Sequence, residues 1–308
     1  MNQRMVYLNG EFVPETEARI PIFDAGFHLG DTVYEVTRTF HHRPFRMKDH
    51  LARLSRSLRH TRIDAGLAME ELDRICAEVL ERNRPLLKER EEYLLTVSIT
   101  RGRLAIFGAD PSGRKGATVV VNCWPVPFAQ FARYYQCGVH AVTPATRHSP
   151  PQCLDPKVKV RSRMHYVLAD LEAQLVDPQA YALLLDVDGN VTEGVASNFF
   201  IADSGVLKTP TSRGILCGIS RMTTLELAKD LGIPSIECNM QLYDIVNADE
   251  AFFTTTSVCM LPASRINGIR IGTEVPGPLT KTLLDAWSRY VGLDIVGQAL
   301  GFVVAGAQ

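Results

Sequence analysis

Residues Lys159 to Glu193 read KVRSRMHYVLADLEAQLVDPQAYALLLDVDGNVTE and run on into GVASNFF. A lysine stands ahead of an amphipathic helical stretch, and the helix leads to an apolar run, YALLL, with the length of a buried strand. That strand ends at the turn signal Asp188-Gly189-Asn190, and Glu193 is presented on its far side. An amine and a carboxylate are thereby set on one compact unit of 35 residues.

Working outward, VYLNGEFVP near the start is a strand, an Asn-Gly turn and a second strand, the pattern of a hairpin. DTVYEVTRTF (Asp31 to Phe40) reads as a further strand whose period of two puts Tyr34, Val36 and Arg38 on one face. A helix begins at Asp49 as N-cap, with Leu51, Leu54 and Leu58 at helical spacing. A second helix runs from Glu70 to Arg82 on Leu72, Ile75, Cys76, Val79 and Leu80. YLLTVSIT (Tyr93 to Thr100) and ATVVVNC (Ala117 to Cys123) are core strands separated by a Gly-rich excursion from Arg101 to Gly116. WPVPFAQ, residues 124–130, has two prolines and no periodicity, so it reads as a linker. The expected division is 1–123 as a small α/β domain and 131–308 as a larger one. The larger part carries strand-like GVHAVTP and the quoted unit. A helix from Arg221 to Leu231, closed by Gly232, follows it. Strand EAFFTTT and a last helix from Leu279 to Val291, entered through Pro278, complete the reading.

At 308 residues, 46% hydrophobic and 22% charged, the chain is of the ordinary globular class and long enough for two cores. Lys plus Arg number 33 against 34 Asp plus Glu, so no global field points to nucleic acid or an anionic membrane. No apolar run approaches membrane-spanning length, and MNQRMVYLNGEF lacks a signal-peptide core, which points to a cytoplasmic protein. The seven cysteines show no metal-ligand spacing, so no metal is expected.

Lys157, Lys159, Arg161 and Arg163 alternate with Val158, Val160 and Ser162. If this segment is extended, the cations share one face. Crowded positive charge lowers a lysine's pKa and frees the amine that attacks an aldehyde. An arbitrary basic alternation is more often a solvated edge strand. Glu193 could hold a proton on a pyridine nitrogen, and Gly194 could let backbone approach a flat ligand. GILCGISR, Gly214 to Arg221, opens a helix whose free amides suit a phosphate, with Ser220 as N-cap. Arg53, at the edge of the Leu51/Leu54/Leu58 stripe, reads alone as a solvent-facing arginine.

Taken together, LNGEFVP, FHLGDTVYE, FRMKDHLARL, the Lys159 to Phe200 block, GISR, FFTTTS and GPLTKTLLDAW resemble the class IV aminotransferases. These are the fold-type IV pyridoxal-phosphate enzymes that include branched-chain and D-amino-acid aminotransferases and aminodeoxychorismate lyase. The resemblance covers nearly the whole chain. It implies an α/β (α+β) fold of two domains, the larger with a mixed sheet or barrel, and transfer of an amino group between an amino acid and a 2-keto acid. Lys159 would form the internal aldimine and shuttle a proton, with Lys157 as its rival. Glu193 would partner the pyridine nitrogen, Arg53 would bind phosphate and Leu216 would pack on the ring. Ile219 and Ser220 would offer amides to the phosphate, and Thr256 a hydroxyl. A homodimer, completing the site from the partner chain, is also implied.

The departures concern substrate. The tyrosine that branched-chain members place in the helix after the lysine falls at Met164, with Tyr166 nearby. Their pocket tyrosine and arginine fall at about Thr96 and Ser98, and the arginine and histidine of the D-amino-acid enzymes at about Ile106 and Gly108. Substrate contacts are therefore expected from Tyr34, Arg38, Arg101 and Ser257, with Arg103 a second choice. A lyase that releases pyruvate, or a non-catalytic metabolite-binding regulator, are the alternatives.

Overall fold

The computed structural model describes residues 3–109, 113 and 115–305, without the side chains of the last two. Of the Gly-rich excursion, residues 110–112 and 114 lie outside the described residues. The chain divides into two compact units, residues 1–126 with 158–163, and residues 127–157 with 164–308. The division is not a single cut, because the short segment carrying Lys159 counts with the first unit.

The first unit is a sheet of six strands, β1 (Met5–Leu8), β2 (Glu11–Pro14), β3 (Thr32–Phe40), β4 (Arg43–Pro44), β5 (Tyr93–Thr100) and β6 (Thr118–Pro125). Their spatial order is β2-β1-β6-β5-β3-β4, antiparallel throughout. The Asn-Gly hairpin forms as the sequence reads, with Asn9 and Gly10 at φ 53° and 106°. After the short α1 (Ala25–Leu29), helices α2 (Met47–Thr61) and α3 (Met69–Asn83) cover one sheet face. Leu51, Leu54 and Leu58 of α2 and Leu72, Ile75, Val79 and Leu80 of α3 share a core with Val33, Leu95, Val97, Ile99, Val119 and Val121. Strand alternation puts Tyr34, Val36 and Arg38 of β3 on the other face, opposite Ser98, Thr96 and Leu94 of β5.

Two local expectations give way here. Asp49 is not the N-cap: α2 starts two residues earlier behind Arg46, which is left-handed (φ 51°), and Asp49 instead pairs with Arg46 Nε at 2.6 Å. Trp124 and Pro125 are not linker, because they extend β6 and pair with Leu94 and Tyr93. Pro125 is tolerated at that strand's end, where no further ladder donor is needed.

The second unit opens on α4 (Phe128–Phe131) and α5 (Tyr134–Cys137), then β7 (Val139–Val142), α6 (Met164–Val176), β8 (Tyr181–Leu185) and β9 (Val191–Gly194). It continues with β10 (Ser197–Asp203), β11 (Val206–Thr209), α7 (Ile219–Asp230), β12 (Ser235–Glu237), α8 (Leu242–Val246) and β13 (Glu250–Thr255). Then come β14 (Cys259–Ile266), β15 (Ile269–Arg270), α9 (Pro278–Val291) and α10 (Ile295–Ala305). Strands run β12-β11-β10-β13-β14-β7-β8-β9, and β9 pairs back onto β10, so six of them close into a barrel. The β14–β7, β7–β8 and β11–β12 pairs are parallel and the rest antiparallel, which makes the barrel mixed. Closure removes the exposed edges that the ring strands would otherwise present. Helix α9 begins at Pro278 as the sequence predicts, and α10 follows behind Asp294, whose Oδ1 accepts from Gly297 N at 2.9 Å.

Candidate active site

In the first unit, residues 159–161 lie extended along β3 through an isolated antiparallel bridge. Val160 bridges Val33, while Tyr34 N donates to Lys159 O at 3.0 Å and Arg161 N to Thr32 O at 2.9 Å. Val158 and Val160 join the helical core, so alternation turns Lys159 and Arg161 onto the Tyr34 face. Lys159 Nζ lies 4.7 Å and Arg161 Cζ 3.8 Å from the Tyr34 ring centroid. Lys157 is elsewhere: it sits in the preceding turn, half-exposed, 3.3 Å from Asp155. Among the described residues Lys159 makes no ion pair, and its amine is held below the ordinary lysine value. Burial is the first cause, with Arg53 and Arg163 adding to it against Tyr34 and Glu35. The depression therefore comes mainly from desolvation rather than from crowding by adjacent cations, and Arg161 acts instead on Tyr34. Burial pushes that phenol up, but Lys159, Arg163 and Arg161 outweigh it and hold it below its ordinary range.

Arg53 does not face solvent. It is 4% exposed and holds Glu35 in a two-point grip, with Nε to Oε1 and Nη2 to Oε2 both 2.7 Å. His50 Nδ1 is 2.9 Å from the same carboxylate. Burial would raise Glu35, yet Arg53 and His50 bring it down to about 2. Glu35 escapes sequence reading because a single glutamate inside a strand pattern looks like an exposed position, while here α2 packs over it.

Two expected substrate residues are committed elsewhere. Arg38 does share the Tyr34 face, but it is 1% exposed, donates Nε to Thr39 O at 3.2 Å and stacks 4.0 Å over Phe40. Arg101 pairs with Asp31 at 2.5 Å and donates to the Thr61 and Arg62 carbonyls at 2.9 and 3.0 Å, closing the C-terminus of α2. Arg103 is likewise spent on the Phe107 and Gly108 carbonyls. Arg161, whose Nη2 reaches Ser98 Oγ at 3.5 Å, is the exposed guanidinium on this face that the sequence did not single out for substrate.

In the second unit the Asp186–Asn190 turn is tied by Asp186, which accepts from the Asp188 and Asn190 amides at 2.9 and 2.8 Å. The turn delivers Glu193 on β9, 5% exposed, opposite Asn198 of β10. Glu193 Oε1 accepts from Tyr166 Oη at 2.7 Å and lies 3.3 Å from His148 Nε2. Its Oε2 accepts from Leu216 N at 2.9 Å and Asn198 Nδ2 at 3.1 Å. The carboxylate is thereby fixed in place as an acceptor. Met164 is exposed and Tyr166 is the helix tyrosine turned inward, onto Glu193. Gly194 serves packing rather than a ligand, since a Cβ there would overlap Ser197 Oγ and crowd the Phe253 ring.

Ser220 is not the cap of α7. Gly218 takes that position with no side-chain cap, leaving the first-turn amides of Ile219 and Ser220 without one. A Cβ at 218 would overlap Asn198 Oδ1, so glycine is what lets Asn198 bridge Leu216 O and Glu193. Arg221 turns away, to Pro210 O and Glu237. Thr256 and Ser257 occupy the turn between β13 and β14, where Ser257 Oγ is 3.5 Å from Thr255 Oγ1. Among the described residues no acidic, histidine or cysteine cluster could hold a metal, and no helix is long and apolar enough to cross a membrane.

The second unit holds uncapped helix amides and a firmly held buried carboxylate, and the first holds a desolvated amine, each a group of the kind that pyridoxal phosphate chemistry uses. Comparison with known proteins agrees. The family model described as amino-transferase class IV matches residues 32–266. The chain is 36% identical to a provisionally named branched-chain-amino-acid aminotransferase of Methanocaldococcus jannaschii, over 91% of this chain and 94% of that one. It is 32% identical to a D-alanine aminotransferase of Bacillus licheniformis, over 91% and 95%. The solved T.th. branched-chain aminotransferase, complexed with N-(5'-phosphopyridoxyl)-L-glutamate, superposes at TM-score 0.82 with 28% identity over 94% and 95% of the two chains. The chain belongs to the class IV aminotransferases, pyridoxal-phosphate-dependent enzymes of fold type IV.

Proposed function

We propose that this aminotransferase moves the amino group of a branched-chain-type amino acid to a 2-keto acid, with Lys159 as the catalytic amine. The observation that carries the reading is Lys159 itself: partly buried, without an ion pair among the described residues, and depressed toward its neutral form beside Tyr34. Pyridoxal phosphate, when bound, supplies an electron sink for the charge left on the amino acid's α-carbon. With that cofactor bound, Lys159 would hold its aldehyde, and as a free neutral amine it would take and return the α-proton. Glu193 would hold the ring nitrogen, and Leu216 would lie against the ring. Arg53, the Ile219 and Ser220 amides and Thr256 would hold its phosphate. Tyr34 and Arg161 receive the amino acid, the guanidinium taking its carboxylate, and Ser257 completes the contacts.

The branched-chain choice rests on relatives so named, which match over 91% and 92% of this chain. D-Alanine is the second candidate, on the strength of the Bacillus relative. A half-reaction screen of L- and D-amino acids tests both. Leucine, isoleucine or valine should bleach the cofactor's visible band and release the matching keto acid; bleaching by D-alanine alone would replace this reading with the second.

The working form is a cytoplasmic homodimer. Met164, Leu168, Leu171 and Leu175 form an exposed apolar stripe along α6, with Leu175 88% exposed, more than a lone chain normally shows to water. Seven free cysteines suit a reducing compartment.

A further inference from the structure

We propose that His148 is a positioning residue which, acting through Tyr166, sets the charge on Glu193 and so the protonation of the cofactor's ring nitrogen. The inference rests on the reading that Glu193 faces that nitrogen. It comes from counting protons. His148 Nδ1 is 3.0 Å from Ser149 O, a carbonyl that can only accept, so Nδ1 carries a proton. Its Nε2 is 2.7 Å from Tyr166 Oη, and Oη is 2.7 Å from Glu193 Oε1. These two contacts need two protons, and the tyrosine hydroxyl brings one. The second stands on His148 Nε2 or on Glu193.

The surroundings assign it. Leu216 N and Asn198 Nδ2 both donate to Glu193 Oε2, and two donors favour the anionic carboxylate. The proton therefore stays on His148, which donates from both nitrogens and stands 3.3 Å from the Glu193 oxygen. The charged and titratable groups facing the ring are His165 and Tyr166 of α6 and Glu193 of β9. Asp186, Asp188 and Arg213 join them across a cavity of about 160 Å³ that His148 helps to line. His148 lines that cavity and Glu193 does not.

A cation behind Glu193 draws off part of its negative charge, so the ring nitrogen is held protonated less firmly than by a free carboxylate. The electron-withdrawing strength of the cofactor is thus set partly by His148.

Two measurements test this, the first without cofactor. In the ¹⁵N-labelled apo chain near neutral pH, His148 should show protons on both ring nitrogens, and Tyr166→Phe should leave one. A wild-type ring with bare Nε2 overturns the proton count. The second uses holoenzyme loaded with cofactor labelled at the ring nitrogen. His148→Gln, whose amide still donates to Tyr166 without charge, should keep that nitrogen protonated to a pH about one unit higher. An unmoved value overturns the coupling, whereas a purely structural histidine would lower the melting temperature and leave this titration alone. Should His148→Gln fail to fold, Tyr166→Phe is expected to produce the same shift. If Glu193→Gln leaves the ring nitrogen unaffected, Glu193 is not its partner and the coupling falls with that assignment, while the apo signal of His148 stands by itself.

Discussion

Lys157 and Lys159 are the same residue type two positions apart, and their surroundings separate them. One is half-exposed beside Asp155; the other is turned by strand alternation onto Tyr34 and desolvated. Lys159→Ala should therefore cut the half-reaction rate by about three orders of magnitude or more, while Lys157→Ala changes it little, as read by single-turnover absorbance. Arg161→Gln should raise KM for the amino acid about tenfold and leave cofactor affinity alone, since one charge-assisted contact is lost. Glu35 gives a prediction about stability. Its folded value near 2 lies below the ordinary 4.5, so its contribution is present above 4.5 and lost as pH falls toward 2, up to about 3 kcal/mol. Glu35→Gln should cost roughly 3–5 kcal/mol at neutral pH by leaving Arg53 buried and unmatched, and should flatten the acid limb of denaturant midpoints against pH. Sequence motifs marked Lys159, Glu193 and Arg53, but not Glu35, His148 or Asn198. Those partners come from strands, helices and loops far apart in the chain, and no local period announces them.

At the scale of elements, periodicity located the strands and helices well where a core enforces it. The stripes of α2 and α3 and the strands β3 and β5 lie where apolar spacing put them, because each buries one face against the other. Ends were less legible. A polar residue near a helix start reads as a cap, yet α2 begins behind a left-handed Arg46 and α7 behind Gly218. At α7 the reason is steric: Asn198 needs the space a side chain would fill. Gly218→Ala should accordingly push Asn198 off Leu216 and Glu193. We expect about 1–3 kcal/mol of destabilisation from overpacking and weaker pyridoxal phosphate binding, measurable by apo-chain melting and fluorescence titration.

The whole molecule adds what no element contains. The barrel of the second unit closes because β9 meets β10, and the same pairing sets Glu193 opposite Asn198. The exposed α6 stripe belongs to this scale too: light scattering should give twice the chain mass, and Leu171→Asp with Leu175→Asp should shift it toward one chain. Full activity in a wild-type monomer would remove the dimer from the mechanism. By itself the sequence determined the family, the cofactor chemistry and those strands and helices that carry a clear apolar period, since these follow from motif spacing and from local burial patterns that each segment carries. The tertiary structure decided which cations are free to act. Arg38 and Arg101 are absorbed by neighbouring carbonyls, an aromatic ring and Asp31, Arg161 is left on the Tyr34 face, and His148 is brought to Glu193. A side chain's charge, exposure and proton count depend on partners that only folding brings within hydrogen-bond reach.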